Sequence, residues 1–419
     1  MTLKHKLLHE NSSTYPWIVV GLLWLCAFLN NGDRSLLVAV MPAIRAEFDL
    51  TNTQLALPTT VFFWVYAIAV LLTSRLGDRK LRSNVILGGL LLWSAATGMV
   101  SLSSSFAMLI AVRALVAASE APYYPSATAL ISDWHPQRTR GRALSLHQTG
   151  VFAGALLGSV GAGIMADRLG WRAPFIVFGA LGLLYGVAVW LYLRDAPQRA
   201  AELERHSDSE PLRVVLGNKP ALCLCAVFFL ATAAANGLTV WAPTFVFDKL
   251  HTNLADSALV GSATINTAGM FAVPLGGMLA DYLNARTRLG RFYALAIGLG
   301  IAGAMLLPLF LASSLWGVAL VLLASTLGKG MFDGCIYAAM HDVIPPQARS
   351  TAVGVMTMAG FIGAGMAPLF VAAMGEVFGM GMALSSLAGL YLVAVAILLA
   401  TRNTTRQAIL HHETAEVFA

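Results

Sequence analysis

Six ionisable side chains lie inside long apolar stretches. They are Asp33 and Arg34 in NNGDRSLL, Arg113 and Glu120 in RALVAASEA, and Lys329 and Asp333 in GKGMFDG. An ion at the centre of a membrane helix costs at least ~2.5 kcal/mol by insertion scales, so each should face a partner or a wet cavity. Arg34 carries a planar fork of donors suited to gripping a carboxylate in two places. Neighbouring residues on a helix diverge by about 100°, so Asp33 need not pair with Arg34 and is left to face a proton pathway. Arg113 and Glu120 are seven residues apart on one helix face, about 10 Å along the axis, which is too far for one tight pair. An Arg113–Asp33 contact would leave Glu120 without a partner, and a buried carboxylate in that position can load and release protons near neutrality. Lys329 and Asp333 are spaced i, i+4, which reads equally as a structural pair and as a charge offered to a bound anion. The plainer reading of all six is a set of neutralising pairs that fix helix packing.

Other polar and aromatic residues on the same stretches would shape a cavity. Tyr66, Tyr123, Tyr124, His147 and Gln148 are the candidates in the first half. Asn236, Trp241, Asn266, Tyr337 and Thr357 are those in the second. Taken singly, the aromatics fit helix packing as well as ligand contact, and His147 fits a proton relay or a hydrogen-bonded packing residue. Trp17, Trp24, Trp64 and Trp93 are candidates for anchors at the membrane–water interface. Glycines in GALLGSVGAG and GFIGAG read as sites of close helix approach. The chain has no P-loop, GxSxG, HExxH or paired-cysteine motif, so no enzyme, no cofactor and no metal is expected. Cys26, Cys223, Cys225 and Cys335 sit in apolar runs and read as small buried hydrophobes.

The elements that must hold these residues follow from composition. Only 11% of the 419 residues are charged and 58% are hydrophobic. A soluble protein of this length would need far more charge to coat its domains, and nucleic-acid binding would need basic faces that are missing. The chain reads as an all-α membrane protein. Apolar windows fall near 16–41, 54–74, 83–102, 106–130, 142–165 and 172–193, then near 219–246, 256–280, 292–311, 315–340, 350–374 and 380–400. Each is about the 20 residues that a helix needs to cross the bilayer. The expected domains are a six-helix bundle at 1–193, a polar linker at 194–218 and a second six-helix bundle at 219–419.

The net charge of +6 reports topology. With the N-terminus inside, 20 of the 27 Lys and Arg fall in cytoplasmic segments. The opposite side holds only Arg45, Arg168, Arg172 and Lys249. The asymmetry places both termini in the cytoplasm. The two halves also repeat. SRLGD, ending at Asp78, is echoed by GMLAD, ending at Asp281, and HPQRTRGRA by PPQARSTA. Two such repeats can rock about a central site, the geometry of alternating access.

These strings resemble the major facilitator superfamily over nearly the whole chain. The loop SRLGDRKLRS matches that family's cytoplasmic gate motif at Asp78, Arg79 and Arg82, with Ser74 and Leu81 where glycines are usual. Within the superfamily the chain resembles the anion:cation symporters through DRSLL, RALVAASEAPYYP and WHPQRTRGRALSL followed by GWRAPF. The resemblance implies twelve helices in two pseudo-symmetric bundles. It implies a substrate carboxylate on Arg34, coupling protons on Asp33 and Glu120, and Tyr66 lining the site. It also implies a conformational latch at Asp78, with Asp281 as its echo. Spinster-like lipid transporters share a similar Asp-Arg and Glu arrangement. The expected function is proton-coupled symport of a small organic anion, a sugar acid or other carboxylate, by a monomer in a bacterial inner membrane. Its expected partners are that anion, protons and lipid. The alternatives are a proton-coupled exporter of an amphipathic lipid or drug, and a transporter-like sensor.

Overall fold

The structure, a computed structural model, describes residues 14–73, 81–135, 137–196, 211–345 and 348–417. Among these residues there is no strand, and twelve helical stretches are long and apolar enough to cross a membrane. The all-α reading and the twelve windows stand.

In the first half α1 (Tyr15–Phe48), α2 (Asn52–Thr73) and α3 (Arg82–Val100) each supply one span. The fourth span is broken into α4 (Phe106–Glu120) and α5 (Tyr123–Trp134), and α6 (Gln137–Leu169) and α7 (Ala173–Tyr192) follow. A short α8 (Pro211–Gly217) leads into α9 (Lys219–Leu250). The next span joins α10 (Leu254–Ala258) to α11 (Thr264–Asn284) through a π-helical turn at Leu259–Ala263. Then come α12 (Gly290–Leu306) with a 3₁₀ extension at Leu307–Leu311, and a second broken span made of α13 (Leu315–Asp333) and α14 (Ile336–Val343). Last are α15 (Arg349–Phe378), α16 (Met380–Ala400) and α17 (Arg402–Val417).

Local chemistry sets several of these boundaries. Ser105 caps α4 by accepting from the Met108 N–H, and Ser314 caps α13 by accepting from the Gly317 N–H. Such a cap satisfies one of the orphan donors of a first helical turn. Gly170 and Gly379 turn the chain ahead of α7 and α16 with φ of 84° and 83°, a region that side-chain-bearing residues avoid. Both pairs are separated by 209 residues, so the repeat seen in the sequence extends to caps and turns.

The chain divides into two compact units. One holds Met1–Thr51, Leu57–Ser207 and Asn253–Ala258, and the other holds Asn52–Ala56, Asp208–Thr252 and Leu259–Ala419. In the first unit α1 packs along α6 through the glycines of GALLGSVGAG. A Cβ on Gly158 would lie 2.7 Å from the Gly32 Cα, and just ahead of that string one on Gly150 would lie 2.6 Å from the Trp24 carbonyl oxygen. In the second unit α9 packs along α15 in the same way, and a Cβ on Gly363 would lie 2.6 Å from the Phe229 carbonyl oxygen. Glycine lets two backbones meet where lipid-exposed helices gain nothing from hydrophobicity alone. Trp93 corrects one expectation: it is fully buried against Tyr123 and is no interface anchor. Trp17 and Trp64 are exposed. All four cysteines are free, and Cys26, Cys225 and Cys335 are buried.

Candidate functional site

The charged residues of the first unit converge. Arg34, on α1, donates from Nε to Glu120 Oε2 at 2.8 Å, and Glu120 is the last residue of α4 and fully buried. The Arg34 guanidinium also lies over two rings of α2, 4.6 Å from the centre of Tyr66 and 5.2 Å from that of Phe62. Those residues are i and i+4, so one face of α2 presents a continuous aromatic wall, with ring centres 6.1 Å apart. Arg113 rests on the same wall, 4.7 Å from the Phe62 centre. Asp33 turns the other way, as the 100° step between neighbours requires, and accepts a hydrogen bond from Thr97 of α3 at 3.1 Å.

This arrangement corrects the expected pairing. Glu120 is engaged by Arg34, and no Arg113–Asp33 ion pair occurs among the described residues. The heptad spacing put Arg113 and Glu120 on one face of α4, but α1 and α2 come close enough for Arg34 to reach the acid first. The cluster holds two cations and two carboxylates and is balanced when all four are charged. It is incompletely hydrogen-bonded: Asp33 Oδ1, Glu120 Oε1, Arg113 Nε and Asn30 Nδ2 are buried without partners. Unspent donors and acceptors of this kind, in a low-dielectric setting, bind a small polar ligand or water strongly.

A second polar group lies one turn further along the fourth span. The Tyr123 hydroxyl donates to the Leu23 carbonyl at 2.7 Å and lies 3.0 Å from His147 Nε2. Its one hydrogen is already given to Leu23, so His147 Nε2 must be the donor in the second contact. Nδ1 of His147 is then an acceptor, buried and without a partner. Tyr124, more exposed, donates to Gln148 Oε1 at 2.9 Å.

Residues 23–368 of the chain match the Major Facilitator Superfamily. The chain belongs to that superfamily. It is a multi-pass membrane protein with twelve helical stretches able to span a bilayer among the described residues. The protein named "Probable anion transporter 4, chloroplastic" of Oryza sativa subsp. japonica is 26% identical over 367 residues, covering 83% of this chain. The chain spans 61% of that rice protein's length. "Probable galactarate/D-glucarate transporter GudP" of Bacillus subtilis (strain 168) is 23% identical over 390 residues, 85% of this chain and 84% of that protein. The fold matches the crystal structure of a bacterial homolog to the human lysosomal transporter Spinster, in its inward-facing and occupied conformation. That comparison gives a TM-score of 0.84 at 21% identity and covers 95% of this chain and 99% of the other.

The second unit arranges its polar residues differently. Lys329 Nζ lies 2.6 and 2.7 Å from the two carboxylate oxygens of Asp333, one turn along the same helix. Asn236 donates to the Ala364 carbonyl at 2.7 Å, and this contact has a backbone cause. Residue 368 is a proline without an N–H, so the carbonyl four residues earlier has no helical donor and the asparagine supplies one. Trp241, fully buried, donates to the Pro368 carbonyl at 3.0 Å, and Asn266 donates to Ser262 within its own helix. Tyr337 is exposed with its ring 6.1 Å from Phe228, and Thr357 is half-buried on α15.

Of the gate residues, Asp78 and Arg79 lie outside the described residues. Arg82, the first residue of α3, forms an ion pair with Asp133 of α5, while Asp195 accepts from the Arg82 N–H at 2.8 Å. Arg291 and Asp342 form the corresponding pair in the second unit, again 209 residues along. Asp281 is exposed. The sequence reading missed Asn30, Phe62, Thr97, Asp133, Asp195 and Asp342. Applying the 209-residue repeat to Arg82 and Arg291 would have found Asp133 and Asp342 together. Nothing in spacing alone marks Phe62 or Thr97.

Proposed function

We propose that this transporter moves a small organic anion, a sugar acid or other carboxylate, together with protons and by alternating access. The observation that carries the reading is the 2.8 Å pair between Arg34 and the buried Glu120. A substrate carboxylate needs the same donors that Arg34 gives to Glu120. When the substrate takes them, Glu120 is left as a buried negative charge beside a second anion, a state that costs several kcal/mol. Uptake of one proton by Glu120 removes that charge, and Asp33 offers a second protonatable group in the same balanced cluster. Binding of anion and proton are thereby linked, and each favours the other. Tyr66 and Phe62 hold the guanidinium flat for a planar ligand, and Tyr124, Gln148 and His147 line the way beyond it. The names of the relatives, which include an anion transporter and a galactarate/D-glucarate transporter, support this substrate class.

In the same reading Arg82, Arg79, Asp78 and Asp281 belong to a cytoplasmic gate, and Lys329 and Asp333 to a supporting charge pair. The bundles are 1–193 and 219–419, both termini are cytoplasmic, and the membrane is a bacterial inner membrane.

Proteoliposomes with an imposed proton gradient test the coupling. Glu120→Gln should abolish gradient-driven accumulation while leaving exchange of labelled for unlabelled anion, because the neutral amide mimics the protonated acid. Full accumulation by Glu120→Gln would remove Glu120 from the coupling step. The rival reading is proton-driven export of an amphipathic or cationic compound, and Arg34 and Lys329 stand against it. Thermal stabilisation of the purified protein by carboxylates, and not by lipophilic cations, separates the two.

A further inference from the structure

A cavity of ≈ 370 Å³ opens in the second unit, and none of its lining residues belongs to the proposed transport site. It is lined by the end of α9 (Phe245, Asp248, Lys249), by Phe310, and by the turn from α15 into α16, residues 378–382. With twelve spans, this end of the unit lies opposite the termini. Its depth follows from helix length. α16 has 21 residues, about 31 Å at 1.5 Å per residue, close to the ~30 Å hydrocarbon thickness of a bilayer. Met380–Met382 at its start therefore sits at the boundary between acyl chains and headgroups.

The chemistry of the lining is mixed. Lys249 is one of only four basic residues that the sequence places on this side. Its ammonium gives one hydrogen bond, 2.9 Å to the Phe310 carbonyl, and lies 5.1 Å from the centre of the Phe245 ring. An ammonium has three donors, so two remain for a ligand. Asp248 brings a carboxylate to the same cavity, and Phe310, Phe378 and Met382 form an exposed apolar rim. A lone anion would meet Asp248 as well as Lys249, and a purely apolar occupant would bury both charges. An occupant with a phosphate for Lys249, an ammonium for Asp248 and chains leaving over the apolar rim meets every part of the lining.

We propose that this cavity holds the headgroup of a phosphatidylethanolamine molecule from the leaflet opposite the termini. The phosphate binds Lys249, the primary ammonium donates to Asp248, and the acyl chains run over Phe378 and Met382. The proposal is independent of the transported substrate, so it stands or falls apart from the symport reading.

The test uses the full-length protein purified from membranes and exchanged into mixed micelles with equal amounts of phosphatidylethanolamine, phosphatidylglycerol and phosphatidylcholine. Lipid retained per protein is read by native mass spectrometry. Phosphatidylethanolamine should be retained over phosphatidylglycerol, which lacks the ammonium, and over phosphatidylcholine, whose quaternary nitrogen has no N–H to donate. Lys249→Ala should lower that retention about five-fold, the effect of one basic residue at a membrane surface. Lys249→Arg should keep it. Asp248→Asn should keep lipid bound but erase the preference over phosphatidylglycerol, a readout that does not depend on how well Lys249→Ala folds. Equal retention of the three lipids, unchanged retention in Lys249→Ala, or equal protection of the protein by inorganic phosphate against heat would each overturn the proposal.

Discussion

Glu120 and Asp333 stand at the breaks of the two broken spans, although the 209-residue offset aligns Glu120 with Lys329. Each is the last residue before its span breaks, in the fourth and tenth spans respectively. The spans share a serine cap and an arginine–aspartate pair at the same 209-residue offset. Their acids nevertheless find different partners. Glu120 is fully buried and reaches across to Arg34 on another helix, whereas the Asp333 side chain is 38% exposed and folds back on Lys329 of its own helix. A pair across helices ties the charge state of one group to the position of two elements. A pair within one helix turn follows that helix wherever it goes and reports on nothing beyond it. The repeat has kept the scaffold and let the chemistry diverge, and under the proposed function the first unit holds the pair that would convert protonation into movement.

The largest expected effect is from Arg34→Ala, which leaves Glu120 buried without a cation. Breaking a buried pair in this way costs about 3–5 kcal/mol, and transport should fall to background. The double change Arg34→Met with Glu120→Leu should recover much of the lost stability, measured by thermal unfolding in detergent, and none of the transport. If Lys329→Ala were equally damaging to both, the distinction between the two pairs would fail.

Next in size is Gly158→Leu, whose side chain must displace α1 beside Asp33 and Arg34. Overpacking of this kind costs about 1–3 kcal/mol. Gly363→Leu should destabilise the second unit to a similar degree. The two variants should differ in apparent affinity for the anion, which only Gly158→Leu should weaken. Asp333→Asn leaves Lys329, whose side chain is 12% exposed, without its carboxylate and should lower the unfolding midpoint by less than Arg34→Ala does, because the Asp333 side chain is 38% exposed, and it should leave proton-driven uptake in place. Loss of coupling in Asp333→Asn would make the second unit a partner in proton movement and erase the contrast.

The smallest effect concerns a clasp with no counterpart among the described ion pairs of the second unit. Arg172 makes a two-pronged contact with Glu47 at 2.6 and 2.7 Å, and donates to the carbonyls of Ser101 and Ser103. Its hydrogen bonds to Glu47 hold the guanidinium above the ordinary arginine value. Both side chains are more than a third exposed, so solvent screening limits the clasp to about 0.2–1 kcal/mol. Arg172→Lys keeps the charge but loses the fork, and the unfolding midpoint should drop slightly.

How much of this was legible beforehand depends on whether the information was local. Span number, the glycine faces of α1–α6 and α9–α15, and the Lys329–Asp333 pair follow from spacing along one helix, and the sequence carries spacing. The partner of Glu120 does not follow from spacing. Arg113 shares its face, Arg34 lies on another helix, and only the approach of α1 and α2 decides between them. Phe62 escaped notice for a similar reason: a phenylalanine in an apolar span carries no mark of the two guanidinium groups stacked on it. Asn236 drew attention as a polar residue in a span, but its neighbour is a carbonyl exposed by a proline 132 residues away.

That proline has a mechanical consequence. In an uninterrupted helix, bending stretches the backbone ladder on the outer side of the curve. At Pro368 one rung of the α15 ladder is already missing, and the Asn236 side chain stands in for it from α9. Flexing α15 at this turn therefore strains one side-chain bond that can let go and re-form, with no backbone bond at that rung to break. The molecule has a soft joint here, latched by a single amide.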